Sequence, residues 1–351
     1  MRAPQTPHVT NTHKSSQSSE TSSPVRPARP SSLRRKRAAL GIMLPAAAVA
    51  LALPMRADAR AGESRGARAV VSTNGVAASS ANVNMNELLD TLRGRSRKLR
   101  AKFVAPKRAA SIPVLRELFG DSAASKAGVY AATDSASSSS FSFITMRPFS
   151  DKVGGRIGSY RIGFFPQEKR GARSAAYVNP EGFLEVTADN QSTPVSEHFR
   201  LSDFLTHDQV RVWPKYLVLR EPLIDKLELV IGELKSMGVK VNGMKVMSGF
   251  RTPQYNEPGV GAGGRASDSR HQYGDAADVY IVNGSKDWMS DLNGDGKVNT
   301  KDAQVLANAA ERVEQKHPDL VGGIGIYKAT SAHGPFVHID VRGNRARWGS
   351  L

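Results

Sequence analysis

The 351-residue chain contains no cysteine. That excludes disulfides, thiolate metal ligands and cysteine nucleophiles in one step, so any metal must be held by histidine and carboxylate groups. The basic N-terminal arm lacks the interleaved aromatics of surfaces that bind single-stranded nucleic acid. No apolar run reaches the roughly 20 residues of a typical membrane-spanning helix. Acidic residues are sparse at one end only. Residues 1–110 hold 20 of the 49 basic groups but 5 of the 32 acidic ones, so +15 of the formal net charge of +17 lies there. Such a basic arm reads as export machinery or a tether to lipid headgroups or wall polymers. Nucleic acid is not among the expected partners.

What is present begins with a compact cationic cluster, Arg34, Arg35, Lys36 and Arg37. An apolar run over 38–54 follows, broken by Gly41 and Pro45, and then Ala57-Asp58-Ala59. Cationic, apolar and small-residue regions in that order are the pattern of a secretory signal. Left uncleaved, the same segment would associate with a membrane as a single anchor. Four N-terminal regions result. Residues 1–33, rich in Ser, Thr and Pro, read as a disordered arm, and 34–59 as a signal peptide or membrane anchor. Residues 60–140 read as a basic linker. Within it, Leu88, Leu89, Leu92, Leu99 and Phe103 predict one amphipathic helix, and the run from Ser135 to Ser140 a flexible joint. Residues 141–195 read as a small β-rich segment, from the alternation of Tyr160, Ile162 and Phe164 and from Phe183–Val186 after an Asn179-Pro180-Glu181-Gly182 turn.

Residues 196–351 carry the features of an α+β body. Leu223, Leu227, Val230, Ile231 and Leu234 recur at helical spacing until Gly238, and a second helix is predicted from about Lys301 to Lys316. Met244–Ser248, Val279–Val282, Gly325–Tyr327 and Phe336–Val341 read as strands. The expected fold class is a small antiparallel sheet with flanking helices, its strand ends bearing the polar residues.

The most informative segment runs from Ser269 to Asp278. His271 and Asp278 stand seven residues apart with Gly and Ala between them, which lets a loop turn back as it enters a strand. His338, a lone polar side chain in an alternating apolar strand, supplies a third ligand. Two imidazoles and one carboxylate leave a fourth tetrahedral position for water, the arrangement of catalytic zinc sites.

The pattern S-x-H-x-x-G-x-A-x-D with a late strand histidine resembles the D-alanyl-D-alanine carboxypeptidase/dipeptidase family of zinc peptidases. The wider group of that family includes lysostaphin-type enzymes and the hedgehog signalling domain. Ser248-Gly249-Phe250-Arg251-Thr252-Pro253-Gln254-Tyr255-Asn256 resembles its upstream S-G-x-R-T/S-x-x-x-N segment. Phe336-Val337-His338-Ile339-Asp340 is similar to a murein endopeptidase branch that ends in V-H-x-D. The likeness spans about residues 197–348. It implies a hedgehog/peptidase-like fold, His271, Asp278 and His338 as Zn2+ ligands, and peptidoglycan peptides outside the cytoplasm as substrate. It also implies that Arg251 supports an oxyanion or grips a substrate carboxylate, and that Ser269 holds the loop or makes a supporting bond behind a ligand. The chain departs from the family at Pro335, where many relatives carry an acidic general base. It departs again at Phe336, where some lysostaphin-like enzymes carry a histidine. Asp340 and His333 are then the nearest groups for acid/base work. Asp340, two residues along the strand, faces the same side as His338 and either orients it or takes a proton. The alternative is a catalytically inactive zinc-containing module that binds wall peptides or a protein partner.

A second metal is expected at residues 291–302. Asp291, Asn293, Asp295, Lys297, Asn299 and Asp302 fall at positions 1, 3, 5, 7, 9 and 12 of an EF-hand-type loop, with the position-7 ligand a main-chain carbonyl. Gly296 sits at the sharp turn. Asp in place of Glu at the last position resembles dockerin loops. The loop predicts structural Ca2+ that stiffens the connection between Asp278 and His338.

Overall fold

The computed structural model of the protein describes residues 69–71, 76–79, 90, 93–109, 111–133 and 140–350. The expected arm, the signal or anchor segment, Leu88, Leu89, Leu92 and most of the serine-rich joint lie outside them. Among the described residues no helix is long and apolar enough to cross a membrane.

The chain is mixed α/β, with several small sheets and two long helices. Strands β1 (Ala69–Val71), β2 (Val76–Ser79), β3 (Ala101–Val104), β4 (Gly128–Thr133) and β5 (Ser140–Thr145) form one sheet in the order β1-β2-β4-β5-β3. The linker expected at 60–140 is therefore corrected over much of its length. Leu99 and Phe103 are not helical either, since Leu99 bridges Ser196 and Phe103 lies on β3. Leu115, Phe119, Tyr130, Phe141 and Phe143 make a core of their own beside this sheet. The segment is also bonded to the body. The main-chain N–H groups of Arg95 and Ser96 donate to the two oxygens of Asp225, each at 2.8 Å, and Phe103 N–H donates to Glu221. Short, alanine- and serine-rich strands concealed this: part of what ties the segment down is carboxylates far along the chain, Glu221 and Asp225, which local periodicity does not display.

The β-rich segment contributes β6 (Arg147–Pro148), β7 (Arg156–Ile157), β8 (Tyr160–Arg161) and β9 (Gly182–Val186). The last pairs with β10 (Lys215–Leu217), giving a three-stranded sheet β10-β9-β6, while β7 and β8 form a hairpin. Phe149, Phe165 and Phe183 from this segment share one apolar core with the body. The boundary expected at residues 195–196 runs through that core.

The body is built on a central sheet of β11 (Gly243–Ser248), β12 (Ala276–Val282), β13 (Gly323–Tyr327), β14 (Phe336–Asp340) and β15 (Ala346–Gly349), in the order β11-β12-β14-β13-β15. Three of its pairings are antiparallel, as expected, but β15 runs parallel to β13, so the sheet is mixed. Val279, Ile281, Val337, Ile339, Ile324 and Ile326 are buried in one core with apolar side chains of the two long helices, Glu221–Ser236 and Thr300–Lys316. Both helices begin and end close to where periodicity predicted. The second is fixed at its start by a capping box, with the Asn299 side chain accepting from Lys301 N–H and Asp302 accepting from Asn299 N–H, both at 2.8 Å. Because strand side chains alternate, the polar residues of β12 and β14 all emerge on the opposite face. That face carries the site.

Candidate metal centre

Asp278 and His338 are direct partners across β12 and β14. His271 reaches them from a single 3-10 turn, Arg270–Tyr273, which leads into β12. The turn needs Gly274, whose φ is +66° and where a Cβ would overlap the main chain of Val218. The carbonyl of Ser269 accepts from Gln272 N–H at 3.0 Å and its hydroxyl makes no cap, so the main chain rather than the Ser269 side chain holds the turn. Arg270 and Asp275 form a buried ion pair across the turn, and the Arg270 guanidinium also donates to the Ala176 carbonyl at 2.6 Å. Tyr273 packs edge-on against Tyr177, with ring centroids 5.5 Å apart, and against Phe165. The β-rich segment thus buttresses the histidine turn.

Three ligand atoms converge. His271 Nε2 lies 3.1 Å from His338 Nδ1 and 3.3 Å from Asp278 Oδ1, and His338 Nδ1 lies 3.0 Å from the same Oδ1. Donors bound at about 2.0–2.1 Å around a tetrahedral ion sit roughly 3.3–3.4 Å apart, so the triangle fits a metal with little adjustment. All three residues are buried, and their ligand atoms lie close enough together to hold a metal ion.

The far nitrogens fix the tautomers. His271 Nδ1 donates to the Gly249 carbonyl at 2.7 Å, and His338 Nε2 donates to Asp340 Oδ2 at 3.0 Å. Each imidazole then presents a lone pair to the centre, beside a carboxylate oxygen. This is the outer arrangement that orients ligating histidines. Without a metal ion, a proton on His338 Nδ1 can donate to Asp278 instead, and the ionisation of the group reflects these close partners. Burial pushes His338 down, but its bonds to Asp278 and Asp340 outweigh burial and raise its pKa. Burial keeps His271 below its ordinary value. Burial pushes Asp278 up, yet His271, His338 and Arg251 together hold it well below the usual carboxylate range.

Asp340 is fully engaged. Besides His338 it accepts from Gly323 N–H at 2.7 Å, from Arg342 N–H at 3.1 Å and from the Arg342 guanidinium. Burial alone would raise its pKa, but His338 and Arg342 lower it far below the ordinary value. Arg251 is anchored too. Its Nε donates to Ser248 Oγ at 2.8 Å, and its Nη2 pairs with the outer oxygen of Asp278. His333 is not bonded to the triangle. Its Nδ1 donates to the Gly334 carbonyl at 2.8 Å, and its ring meets Phe336 edge-on with centroids 5.0 Å apart. Phe336 shares a strand face with His338.

Sequence reasoning missed Arg342 and Trp348. The Trp348 ring lies 5.1 Å from that of His338 and covers Gly323 and Gly325, where a Cβ would overlap the indole. The signal was available: glycines alternating along a strand mark the close approach of another group.

In the 291–302 loop, Asp291 accepts from Gly294 and Gly296 N–H, Asn293 from Asp295 N–H, and Asp295 from Lys297 N–H, at 2.8–2.9 Å. Asp302 accepts from Leu292 and Asn299 N–H. The side chains of Asp291, Asp295 and Asp302 do not converge as closely as the histidine centre.

No protein-family model, no curated protein and no solved structure matches this chain.

Proposed function

We propose that the protein is a zinc-dependent peptidase that hydrolyses peptide bonds in peptidoglycan, as a murein endopeptidase or D,D-carboxypeptidase. One observation carries the reading: two imidazole nitrogens and a carboxylate oxygen meet within 3.0–3.3 Å, with the far nitrogen of each ring already bonded, a set that can close on a metal ion. Two nitrogens and one oxygen are a donor set of catalytic zinc sites, which keep a fourth position open. The wall substrate and the hedgehog/peptidase-like fold rest on the resemblance of the motifs at 248–256, 269–278 and 336–340, and export rests on the signal-like segment at 34–59. Bound zinc would lower the pKa of water to about 7 and polarise a substrate carbonyl.

The chain's own residues divide the remaining work. Asp340, with its oxygens already occupied, orients His338 and does not accept the proton. His333, whose Nδ1–H is turned to the Gly334 carbonyl so that the lone pair lies on Nε2, is the better candidate for proton transfer. Arg251 keeps Asp278 ionised and aligned, and its charge beside the centre favours a developing oxyanion. The 291–302 loop is proposed to take structural calcium. Its backbone N–H groups already fold inward onto Asp291, Asn293 and Asp295, as an oxygen-rich calcium loop requires.

A second reading, a metal-bearing module that binds wall peptides without cutting them, is favoured by Pro335 and by the saturation of Asp340. Mass spectrometry of muropeptides after incubation with purified sacculi separates the two, with His338→Ala as control. Release of new peptide termini by the wild type alone supports the peptidase; binding to sacculi without release supports the module.

A further inference from the structure

A fully buried lysine lies behind the centre. Lys226, on the first long helix, has no exposed surface, and its Nζ donates to Glu314 Oε1 at 2.6 Å and to the main-chain carbonyl of Asp340 at 2.7 Å. Glu314, on the second long helix, accepts in turn from Gly322 N–H at 3.0 Å and from the Arg347 guanidinium. Arg347 also donates to the Gly322 carbonyl at 2.8 Å. Gly322 immediately precedes Gly323, whose N–H holds the Asp340 carboxylate. The network therefore grips Asp340 on two sides, by its own carbonyl and through the chain segment that cradles its side chain.

Burying two charges costs several kcal/mol per ion before pairing, and apolar replacements of such pairs are often neutral or stabilising. Fold stability alone does not call for an ion pair here. What an apolar pair could not supply is a donor aimed at the Asp340 carbonyl and an acceptor aimed at Gly322. We infer that Lys226 and Glu314 are positioning residues of the metal centre: they set the Asp340 main chain, and through it the imidazole of His338.

The inference rests on the metal centre proposed above, and the test separates their failures. Zinc affinity is measured by competition with a chromophoric chelator, cobalt(II) substitution reports the coordination spectrum, and thermal melting is followed in parallel. If the wild type binds neither zinc nor cobalt, the metal reading itself falls. Given wild-type binding, Lys226→Met with Glu314→Met removes donor and acceptor while filling similar volume. It is expected to melt near the wild type yet bind zinc about 10- to 100-fold more weakly, with an altered cobalt spectrum. Lys226→Gln with Glu314→Gln retains an N–H for the Asp340 carbonyl and an oxygen for Gly322, and is expected to keep affinity within a few-fold. Arg347→Met, nearer the surface, removes the bonds to Glu314 and to the Gly322 carbonyl while leaving Lys226 in place, and is expected to weaken zinc several-fold. Wild-type affinity in the methionine pair and in Arg347→Met, or equal loss in the methionine and glutamine pairs, overturns the inference.

Discussion

The His338 imidazole bridges two carboxylates, with Nδ1 3.0 Å from Asp278 Oδ1 and Nε2 3.0 Å from Asp340 Oδ2. In the proposed metal centre the two contacts would have different tasks: one side of the ring would face the ion, and the other sets which nitrogen carries the proton. Asp340→Ala should therefore weaken zinc binding by about 10- to 100-fold, while Asp340→Asn, which keeps an oxygen for Nε2–H, should cost less. Chelator competition gives both numbers, and equal affinity in wild type and Asp340→Ala would count against the orienting role.

Metal removal should be reversible. Purified protein is expected to carry one zinc ion per chain by elemental analysis, and His271→Ala, Asp278→Ala and His338→Ala each to lose it. Chelation should stop muropeptide release, and added zinc should restore it.

Arg251 joins Ser248 and Asp278 through different nitrogens of one guanidinium. Lysine keeps the charge but not the fork. Arg251→Lys is expected to retain zinc within about tenfold and to lower kcat on muropeptides by roughly 10²-fold. Steady-state kinetics at saturating zinc separates the two effects.

Calcium at about 100 times its Kd should stabilise the protein by roughly 2.7 kcal/mol, seen as a melting temperature several degrees higher. Asp295→Ala, at an exposed loop position, should abolish that rise without changing the melting point in chelator.

The two long helices are joined by Glu233, which pairs with Lys316 and Arg312. The bond from Lys316, followed by opposing burial and then Arg312, leaves the Glu233 pKa below its ordinary 4.5. A lowered carboxyl pKa stabilises the fold above the unfolded value, and the contribution is lost as pH falls through the folded one. Glu233→Gln should cost about 0.5–1 kcal/mol at pH 7, since both cationic partners are half exposed. The difference from wild type should shrink as pH drops below about 4.5. Urea titrations at pH 7, 5 and 3.5 measure it.

Much of the body was legible because its signals are local. The helix from Glu221 and the strand ending at Asp340 follow from apolar spacing. His271 and Asp278 share one short segment, and Asp340 follows from strand alternation beside His338. What escaped detection depends on distant partners. Lys226 looks like any polar position on an amphipathic helix, and only the fold shows it facing Glu314 and the Asp340 carbonyl. Residues 95–104 looked like linker because their anchors, Ser196, Glu221 and Asp225, lie about a hundred residues away or more. Asp340 was legible as a neighbour of His338 but not as a saturated one, since Arg342 beyond the end of β14 and Gly323 at the start of β13 complete it through the fold.

The direct pairing of Asp278 with His338 has one more effect. If β14 slid by a single residue against β12, every side chain of β14 would change faces. His338 would then point among the isoleucines and valines beneath the sheet, and Ile339 toward the centre. An ion coordinated at this spot rewards only the correct alignment, so its capture would act as a proofreading step during folding of the two strands.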